Sequence, residues 1–290
     1  MAEATAVDLA TARDHACLTF TDPEERLDLV ARFVREGLRQ RDKIICWSDE
    51  LAPETLAKEF AARAVRPGSA LRRGQLSIAP ASESPLVREP GGAQAMIRML
   101  SGEISRAERE GYRGLRVTMD MACVTRPAAA ADQLMGFETD VAALCAEGRL
   151  CMFCQYDRDR FDAVTLAFAA QAHPVTVAAQ VYHESPLLRV CRQYSPSGLR
   201  VAGEIDYRHG DLFEQALGEA IRLDRHPRVN LRALDYIDAA AAAVLVRAAL
   251  RLPGSRFMHV SCGRLVATMV EMVGGREAAQ LRVHRVDGEL

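Results

Sequence analysis

The chain has 290 residues, of which 49% are hydrophobic and 26% charged, and this length and composition suit two globular domains. Its formal net charge of −2 excludes the strongly basic balance of proteins that bind nucleic acid or anionic membranes. The N-terminus lacks the pattern of a secretory signal, no uncharged run suits a membrane span, and the eight cysteines lack the spacing of a secreted disulfide framework. We therefore expect a cytoplasmic protein with reduced cysteines.

Short apolar segments alternate with amphipathic segments through the first half of the chain. HACLTF predicts a strand, PEERLDLVARFVREGLRQ a helix with one apolar stripe, and KIICW a second strand. The same alternation continues with the strand QLSIA, a helix around 91–109, the strand LRVTMD, a helix through 131–146 and the strand LCMFCQY. This order predicts a mostly parallel sheet with helices on both faces.

The helical pattern breaks at residues 184–198, where Pro186, Pro196 and Gly198 occur. Beyond this point, strand-like segments again alternate with helices over about 209–223, after residue 238 and over about 263–273. We predict a first domain at 1–184, a linker and first strand at 185–198, and a smaller α/β domain core at 199–290.

The second domain contains an acidic turn, DYID, directly before a run of five alanines. Asp238 is suited to cap the helix that the alanines predict. A capped, small-residue helix packed on a sheet is a complete structural explanation of this sequence.

The motifs GEID at 203–206 and LRALDYID at 231–238 nevertheless resemble those of the STAS domain, the fold of bacterial anti-sigma factor antagonists. The resemblance covers about residues 186–290. In that family a Ser or Thr just after the aspartate is phosphorylated by a partner kinase, but this chain has Ala239, Ala240 and Ala241 there. The resemblance implies an anti-sigma factor of the ATP-binding kinase type as partner, bound without control by phosphorylation at these positions. The implied partner-facing residues are Asp206, Asp235, Tyr236, Asp238, Ala239 and Ala240.

Residues 13–183 resemble a MEDS domain, a sensory module that is itself similar to RecA-like ATPases of the circadian-clock type. HACLTFTDPEERLDLVARFVREGLRQRDKIICWSDE, GYRGLRVTMDMACV and LCMFCQYDRDRF followed by AHP carry the resemblance. Residues 1–36 contain neither the glycines nor the lysine that a phosphate loop needs, and Asp22, Glu24 and Glu25 would repel phosphate. We therefore predict an α/β protein in which a RecA-like, mostly parallel sensor domain without a phosphate loop precedes a smaller STAS α/β domain, and which is not an enzyme.

The ligand-sensing candidates are His15, Cys17, Asp120, Glu138, Tyr156 and His173. His15 and Cys17 share one face of a predicted strand, and Asp120 ends a strand where an ATPase would hold magnesium. In open α/β sheets, ligands bind beyond the carboxyl ends of the strands, so some of these side chains are expected to converge there. Singly, each is also typical of packing or of a turn, and interest in Glu138 and His173 comes from the resemblance.

Cys151 and Cys154 form a CxxC motif within a predicted strand. Residues three apart on a strand point to opposite faces, so the sequence predicts packing roles for both cysteines rather than redox chemistry. No second CxxC and no HxxxH motif completes a zinc site, and no metal site or cofactor is assigned.

Together these features predict a cytoplasmic signalling regulator in which a small-molecule ligand on the MEDS-like domain controls binding of an anti-sigma factor, which frees a sigma factor. Direct contact with nucleic acid or membrane is not expected, and a homodimer remains open. Three alternatives also remain open: a STAS-based scaffold or assembly protein, a degenerate RecA-like nucleotide-binding protein, and a redox or haem variant of the sensor.

Overall fold

The structure is a computed structural model that describes residues 4–5, 14–89, 91–125 and 131–286. Its contacts divide the chain into two compact units, Met1–Ala178 and Ala179–Leu290. The predicted linker at 185–198 holds a turn, a complete strand and the start of a second strand. Each helix in the described part of the chain is too short or too polar to cross a membrane.

Within the described residues, the first unit is built on a seven-stranded sheet in which all pairings are parallel. The strands are β1 (Ala4–Thr5), β2 (His15–Phe20), β3 (Lys43–Ser48), β4 (Leu76–Pro80), β5 (Leu115–Asp120), β6 (Leu150–Asp157) and β7 (Val175–Val177). Their spatial order is β1-β7-β2-β6-β5-β3-β4. The prediction of a mostly parallel α/β sheet is confirmed.

Helices connect these strands and cover the sheet. They are α1 (Pro23–Gln40), α2 (Pro53–Ala62), α3 (Pro67–Arg72), α4 (Pro85–Arg88), α5 (Gly92–Arg109), α6 (Ala131–Ala146) and α7 (Ala163–Ala172). The turn before α1 begins the helix because Asp22 Oδ1 accepts hydrogen bonds from the backbone N–H groups of Glu24 and Glu25, at 2.9 and 3.4 Å. Strands β3 and β5 are buried along their whole length, as expected for a parallel sheet covered on both faces.

The second unit is a mixed α/β sheet. Its strands are β8 (Val181–Glu184), β9 (Leu188–Tyr194), β10 (Ser197–Ile205), β11 (Arg228–Leu231), β12 (Leu234–Ile237), β13 (Met258–Cys262) and β14 (Leu281–Arg285), and its helices are α8 (Gly210–Leu223), α9 (Ala239–Leu250) and α10 (Arg264–Val270). The order is β14-β13-β11-β10-β9-β8, with β12 paired to β10. β8, β9 and β10 are antiparallel, whereas β10, β11, β13 and β14 are parallel.

Two local features shape the second unit around the acidic turn. Gly203 has φ +93°, and a Cβ there would lie 2.1 Å from the carbonyl oxygen of Leu187, so only glycine fits at this irregularity of β10. In α9, Ala241, Ala242 and Ala249 are completely buried, because small side chains let the helix lie close to its neighbours. The acidic turn therefore leads into a tightly packed helix.

Candidate functional site

The most unusual feature of the first unit is a group of four buried polar side chains, here called the buried cluster: His15, Glu138, Cys154 and His173. His15 begins β2, Cys154 lies in β6, Glu138 lies in α6, and His173 directly follows α7. Each side chain belongs to a residue that is at most 2% exposed. One nitrogen, oxygen or sulfur atom of each lies within 4.8 Å of those of the other three. The cluster lies on the sheet face that α6 and α7 cover.

One oxygen of Glu138 is the centre of this arrangement. Glu138 Oε2 lies 2.9 Å from His15 Nε2 and 3.3 Å from His173 Nε2. Cys154 Sγ lies 3.7 Å from His15 Nε2 and 3.9 Å from Glu138 Oε2. The hydroxyl of Tyr156 donates a hydrogen bond to the other oxygen, Oε1. The two carboxylate oxygens therefore have separate partners.

The tautomer of His173 follows from its backbone contact. Its Nδ1 lies 2.6 Å from the carbonyl oxygen of Ala169, and a carbonyl can only accept, so Nδ1 carries the proton and donates it. Burial lowers the pKa of His173 to about 4, so the ring is neutral at pH 7 and Nε2 presents a lone pair. Among the described residues, this Nε2 has no hydrogen-bond partner.

The remaining titratable groups keep their ordinary charge states by different means. Burial acts to raise the pKa of Glu138, but its interactions with His15, His173 and Tyr156 outweigh this effect, so the pKa is lowered. Burial, reinforced by the nearby Glu138 carboxylate, raises the pKa of Cys154 and of Tyr156 well above their usual ranges. In this arrangement Glu138 is ionised, and the thiol and phenol are protonated.

The structure brings together four of the six predicted sensing residues, namely His15, Glu138, Tyr156 and His173. Cys17 lies two residues from His15, but its Sγ contacts Thr176 Oγ1 at 3.9 Å and it is not one of the four clustered residues. Burial raises the pKa of Cys17 to about 11. The convergence is on a face of the sheet rather than beyond the strand ends.

Asp120, at the carboxyl end of β5, belongs to a different network. Arg26 Nη2 donates to Asp120 Oδ2 at 2.6 Å, and Arg26 Nε donates to Gln155 Oε1 at 2.7 Å. The backbone N–H of Ala122 donates to Asp120 Oδ1 at 3.1 Å. Arg26 of α1 thus forms an ion pair with Asp120, the carboxylate at the position where an ATPase would hold magnesium.

Cys154 is the cluster residue that the sequence analysis assigned to packing. The signal that would have found it is the two-residue period of β6, which places Cys154 on the same face as Tyr156. Cys151 points to the opposite face, where the charge of Arg116 acts on it, and burial raises its pKa to about 12. The two cysteines of the CxxC motif therefore have different surroundings.

The predicted partner surface of the second unit is organised by Asp238. Its Oδ1 accepts from the backbone N–H of Ala241 at 2.8 Å, capping α9, and its Oδ2 accepts from the N–H of Tyr207 at 2.8 Å. Ala239 and Ala240 are exposed, whereas Ala241 is completely buried. The first two alanines are therefore the fully exposed ones, and Ala243 is partly exposed.

Asp206 is likewise engaged by its own loop. Its two oxygens accept from Arg208, from the backbone N–H at 3.0 Å and from Nε at 2.9 Å, and the hydrogen bond from the Arg208 side chain lowers the pKa of Asp206. Asp235 and Tyr236 are exposed. Tyr207, which the sequence analysis did not select, is 71% exposed. The aspartates at 206 and 238 thus shape the surface, and the tyrosines supply its exposed apolar area.

Residues 14–174 match a family model described as MEDS, the methanogen/methylotroph, DcmR sensory domain. The chain belongs to the MEDS family. The predicted resemblance is confirmed over these residues, and the MEDS domain contains the whole buried cluster. As a sensory domain, it indicates a role in sensing and signalling.

Two solved structures are similar to this chain at low identity. The flagellar accessory protein FlaH of Methanocaldococcus jannaschii has a TM-score of 0.44 and 12% identity, over 67% of this chain and 86% of its own. A KaiC-like protein of Pyrococcus horikoshii has a TM-score of 0.46 and 8% identity, over 63% of this chain and 79% of its own. Similarities this distant carry no functional assignment. No curated protein matches the chain significantly.

Proposed function

We propose that this protein is a signalling regulator in which the MEDS domain senses a ligand and controls a STAS domain that binds an anti-sigma factor and so releases a sigma factor. The observation that carries the proposal is the surface at the start of α9. There, exposed Ala239 and Ala240 lie beside exposed Tyr236, and Asp238 ties the helix to the turn of Tyr207.

The motifs and their positions support the STAS assignment. Residues 203–206 (GEID) end β10, and residues 231–238 (LRALDYID) contain β12 and lead into α9, so both motifs reach the same local surface. β12 pairs with β10 in parallel, which brings their carboxyl ends to one edge of the sheet. This edge is where a partner of an antagonist would dock.

The alanines define how this docking is regulated. A phosphate adds a charge of about −1.5 to −2 and disrupts an apolar interface, but it needs a hydroxyl for attachment. Ala239 and Ala240 are exposed and lack one. The partner therefore binds without a phosphorylation switch at these positions, and the controlling input comes through the MEDS domain.

We also propose that the MEDS domain does not hydrolyse nucleotides. In the β2–α1 turn, the Asp22 carboxylate accepts from the backbone N–H groups of Glu24 and Glu25, which are the groups that a phosphate at this helix N-terminus would need. Arg26 is 4% exposed and holds Asp120, so this carboxylate is already neutralised by the chain's own cation. Both features support a sensory rather than a hydrolytic role.

The direct test is capture of the partner from native lysate of the source cells by the full-length protein. We expect the wild-type chain to retain an ATP-binding anti-sigma kinase and Ala240→Glu to lose it, because the substitution places a charge in the docking surface. Leu250→Glu is the matched control, since Leu250 is 53% exposed at the other end of the same helix. Its binding should equal that of the wild type.

Two results would overturn the proposal. Failure of the wild-type chain to retain any anti-sigma factor would remove the antagonist function, and large homo-oligomers in light scattering would then support a scaffold. Unchanged binding by Ala240→Glu would place the interface elsewhere, and equal loss in both glutamate variants would mean that the loss is not specific to the start of α9.

A further inference from the structure

Several distances within the buried cluster are close to those of a coordination shell. Tetrahedral zinc, with bonds of about 2.0–2.3 Å to nitrogen, oxygen and sulfur, places its ligand atoms roughly 3.3–3.6 Å apart. The separations at the cluster are 2.9 and 3.3 Å from Glu138 Oε2 to His15 and His173, and 3.7 and 3.9 Å from Cys154 Sγ to His15 and Glu138. The other two separations, from His173 to His15 and to Cys154, are at most 4.8 Å, so contractions of up to about 1.2 Å would complete the geometry.

The orientation of His173 points to a cation. Its Nδ1 contacts the Ala169 carbonyl oxygen at 2.6 Å, whereas Nε2 is buried without a hydrogen-bond partner among the described residues and lies 3.3 Å from Glu138 Oε2. A cation bound between this nitrogen and the carboxylate oxygen would satisfy both buried atoms. A backbone carbonyl that fixes one histidine nitrogen while the other faces a ligand site is the usual support of a metal-binding histidine.

Glu138 is supported in the same manner. Tyr156 donates to Oε1, which orients the carboxylate and leaves Oε2 directed at the two histidines and the cysteine. Among the described residues, no lysine or arginine pairs with this carboxylate, and its close nitrogen contacts are those of His15 and His173. A carboxylate that is 0% exposed requires compensation of its charge.

From these contacts we infer that His15, Glu138, Cys154 and His173 bind one divalent zinc ion. Two imidazoles, one thiolate and one carboxylate form a mixed donor set that suits zinc in tetrahedral geometry. On binding, the Cys154 thiol releases its proton to solvent, and the thiolate and the Glu138 carboxylate together balance the two positive charges. His15, which donates to Glu138 from Nε2 when no metal is bound, binds zinc through Nε2 once its proton has moved to Nδ1, an atom with no hydrogen-bond partner among the described residues.

Four protein ligands fill the tetrahedral shell, which is the pattern of a structural or regulatory zinc site rather than a hydrolytic one. The zinc site itself does not depend on the proposed function. Only the role of zinc as an input to the MEDS domain rests on it. Metal binding is measured separately from anti-sigma capture, so either can fail without the other.

The test uses the full-length protein, stripped of metal with a chelator and titrated with Zn²⁺ and, as a spectroscopic probe, with Co²⁺. We expect one ion per chain, with the visible bands of tetrahedral cobalt and a near-ultraviolet thiolate-to-cobalt charge-transfer band. Cys154→Ser should abolish the charge-transfer band. Cys151→Ser is the matched control, because this cysteine lies three residues away on the opposite face of β6, and its spectrum should equal that of the wild type.

A second variant separates a metal site from a merely packed core. Tyr156→Phe removes the hydrogen bond that orients Glu138 and should weaken Zn²⁺ binding about 10–100-fold while one ion per chain is still bound. Far-ultraviolet circular dichroism checks that each variant is folded. A folded wild-type chain that binds neither ion in a one-to-one ratio would overturn the inference, and so would a charge-transfer band that persists in Cys154→Ser.

Discussion

Replacing Asp238 by alanine removes the acceptor of two backbone N–H groups, those of Ala241 and Tyr207, each at 2.8 Å. Loss of a helix N-cap costs about 0.5–2 kcal/mol. Loss of a hydrogen bond to a charged acceptor costs about 1.5–3 kcal/mol. Because Asp238 is partly exposed, we expect the substitution to lower the free energy of unfolding of the second unit by about 2–4 kcal/mol, in the lower part of the combined range.

Hydrogen exchange of the α9 amides measures this effect within the second unit. A loss of about 2–4 kcal/mol accelerates exchange roughly thirtyfold to several hundredfold, since each 1.4 kcal/mol is a factor of ten. Asp238→Asn keeps the acceptor for Ala241 but places an amide donor at one oxygen, and should cost about 1–2 kcal/mol. Asp235→Ala, an exposed neighbour, should stay within about 0.5 kcal/mol of the wild type. If Asp238→Ala accelerates exchange no more than Asp235→Ala does, the cap is not what holds this surface.

Three further perturbations test other parts of the molecule. Burial raises the pKa of Cys145 and Cys151 from 9.0 to about 12; the folded state therefore keeps these protons longer than the unfolded state. The contribution of these thiols to the free energy of unfolding is complete below pH 9 and falls between pH 9 and pH 12 by about 1.4 kcal/mol per thiol for each pH unit. Urea unfolding, monitored by the fluorescence of the single tryptophan, measures this loss. Arg26→Ala leaves the buried Asp120 carboxylate without its cation and should cost about 3–5 kcal/mol in the same assay; an unchanged midpoint would contradict the role given to this ion pair. Gly203→Ala forces a Cβ against a backbone carbonyl at positive φ and should lower stability by more than about 2 kcal/mol in urea unfolding followed by circular dichroism, whereas a smaller loss would show that β10 can relax there.

The buried strands of the first unit were the most predictable elements. HACLTF and LRVTMD coincide with β2 and β5, because a run of apolar residues buried on both faces between helical segments is a strong local signal. The helices α2 and α3 were not predicted. β9 was assigned to a linker and first strand, since Pro186 and Pro196 on either side of it interrupt the pattern.

The site was less predictable, because its members are far apart in the chain. His15 and Cys17 share a strand face, but strand order decides that the strand beside them is β6. Sequence patterns do not give this order, so the sequence compares Cys154 only with Cys151, the other cysteine of the CxxC motif. The capping role of Asp238 was local and followed from residue type alone. Its second bond, to Tyr207, joins residues 31 positions apart and required the structure.

The order of the first sheet has a consequence for the newly made chain. β2 lies between β6 and β7, and 139 residues separate His15 from Cys154 on the neighbouring strand. At a translation rate of about 5–20 residues per second, β2 leaves the ribosome roughly 7–30 s before its first partner strand exists. During that interval both edges of β2 are unpaired. Of the central strands, β2 therefore relies for the longest time on chaperones or on transient local structure to avoid aggregation.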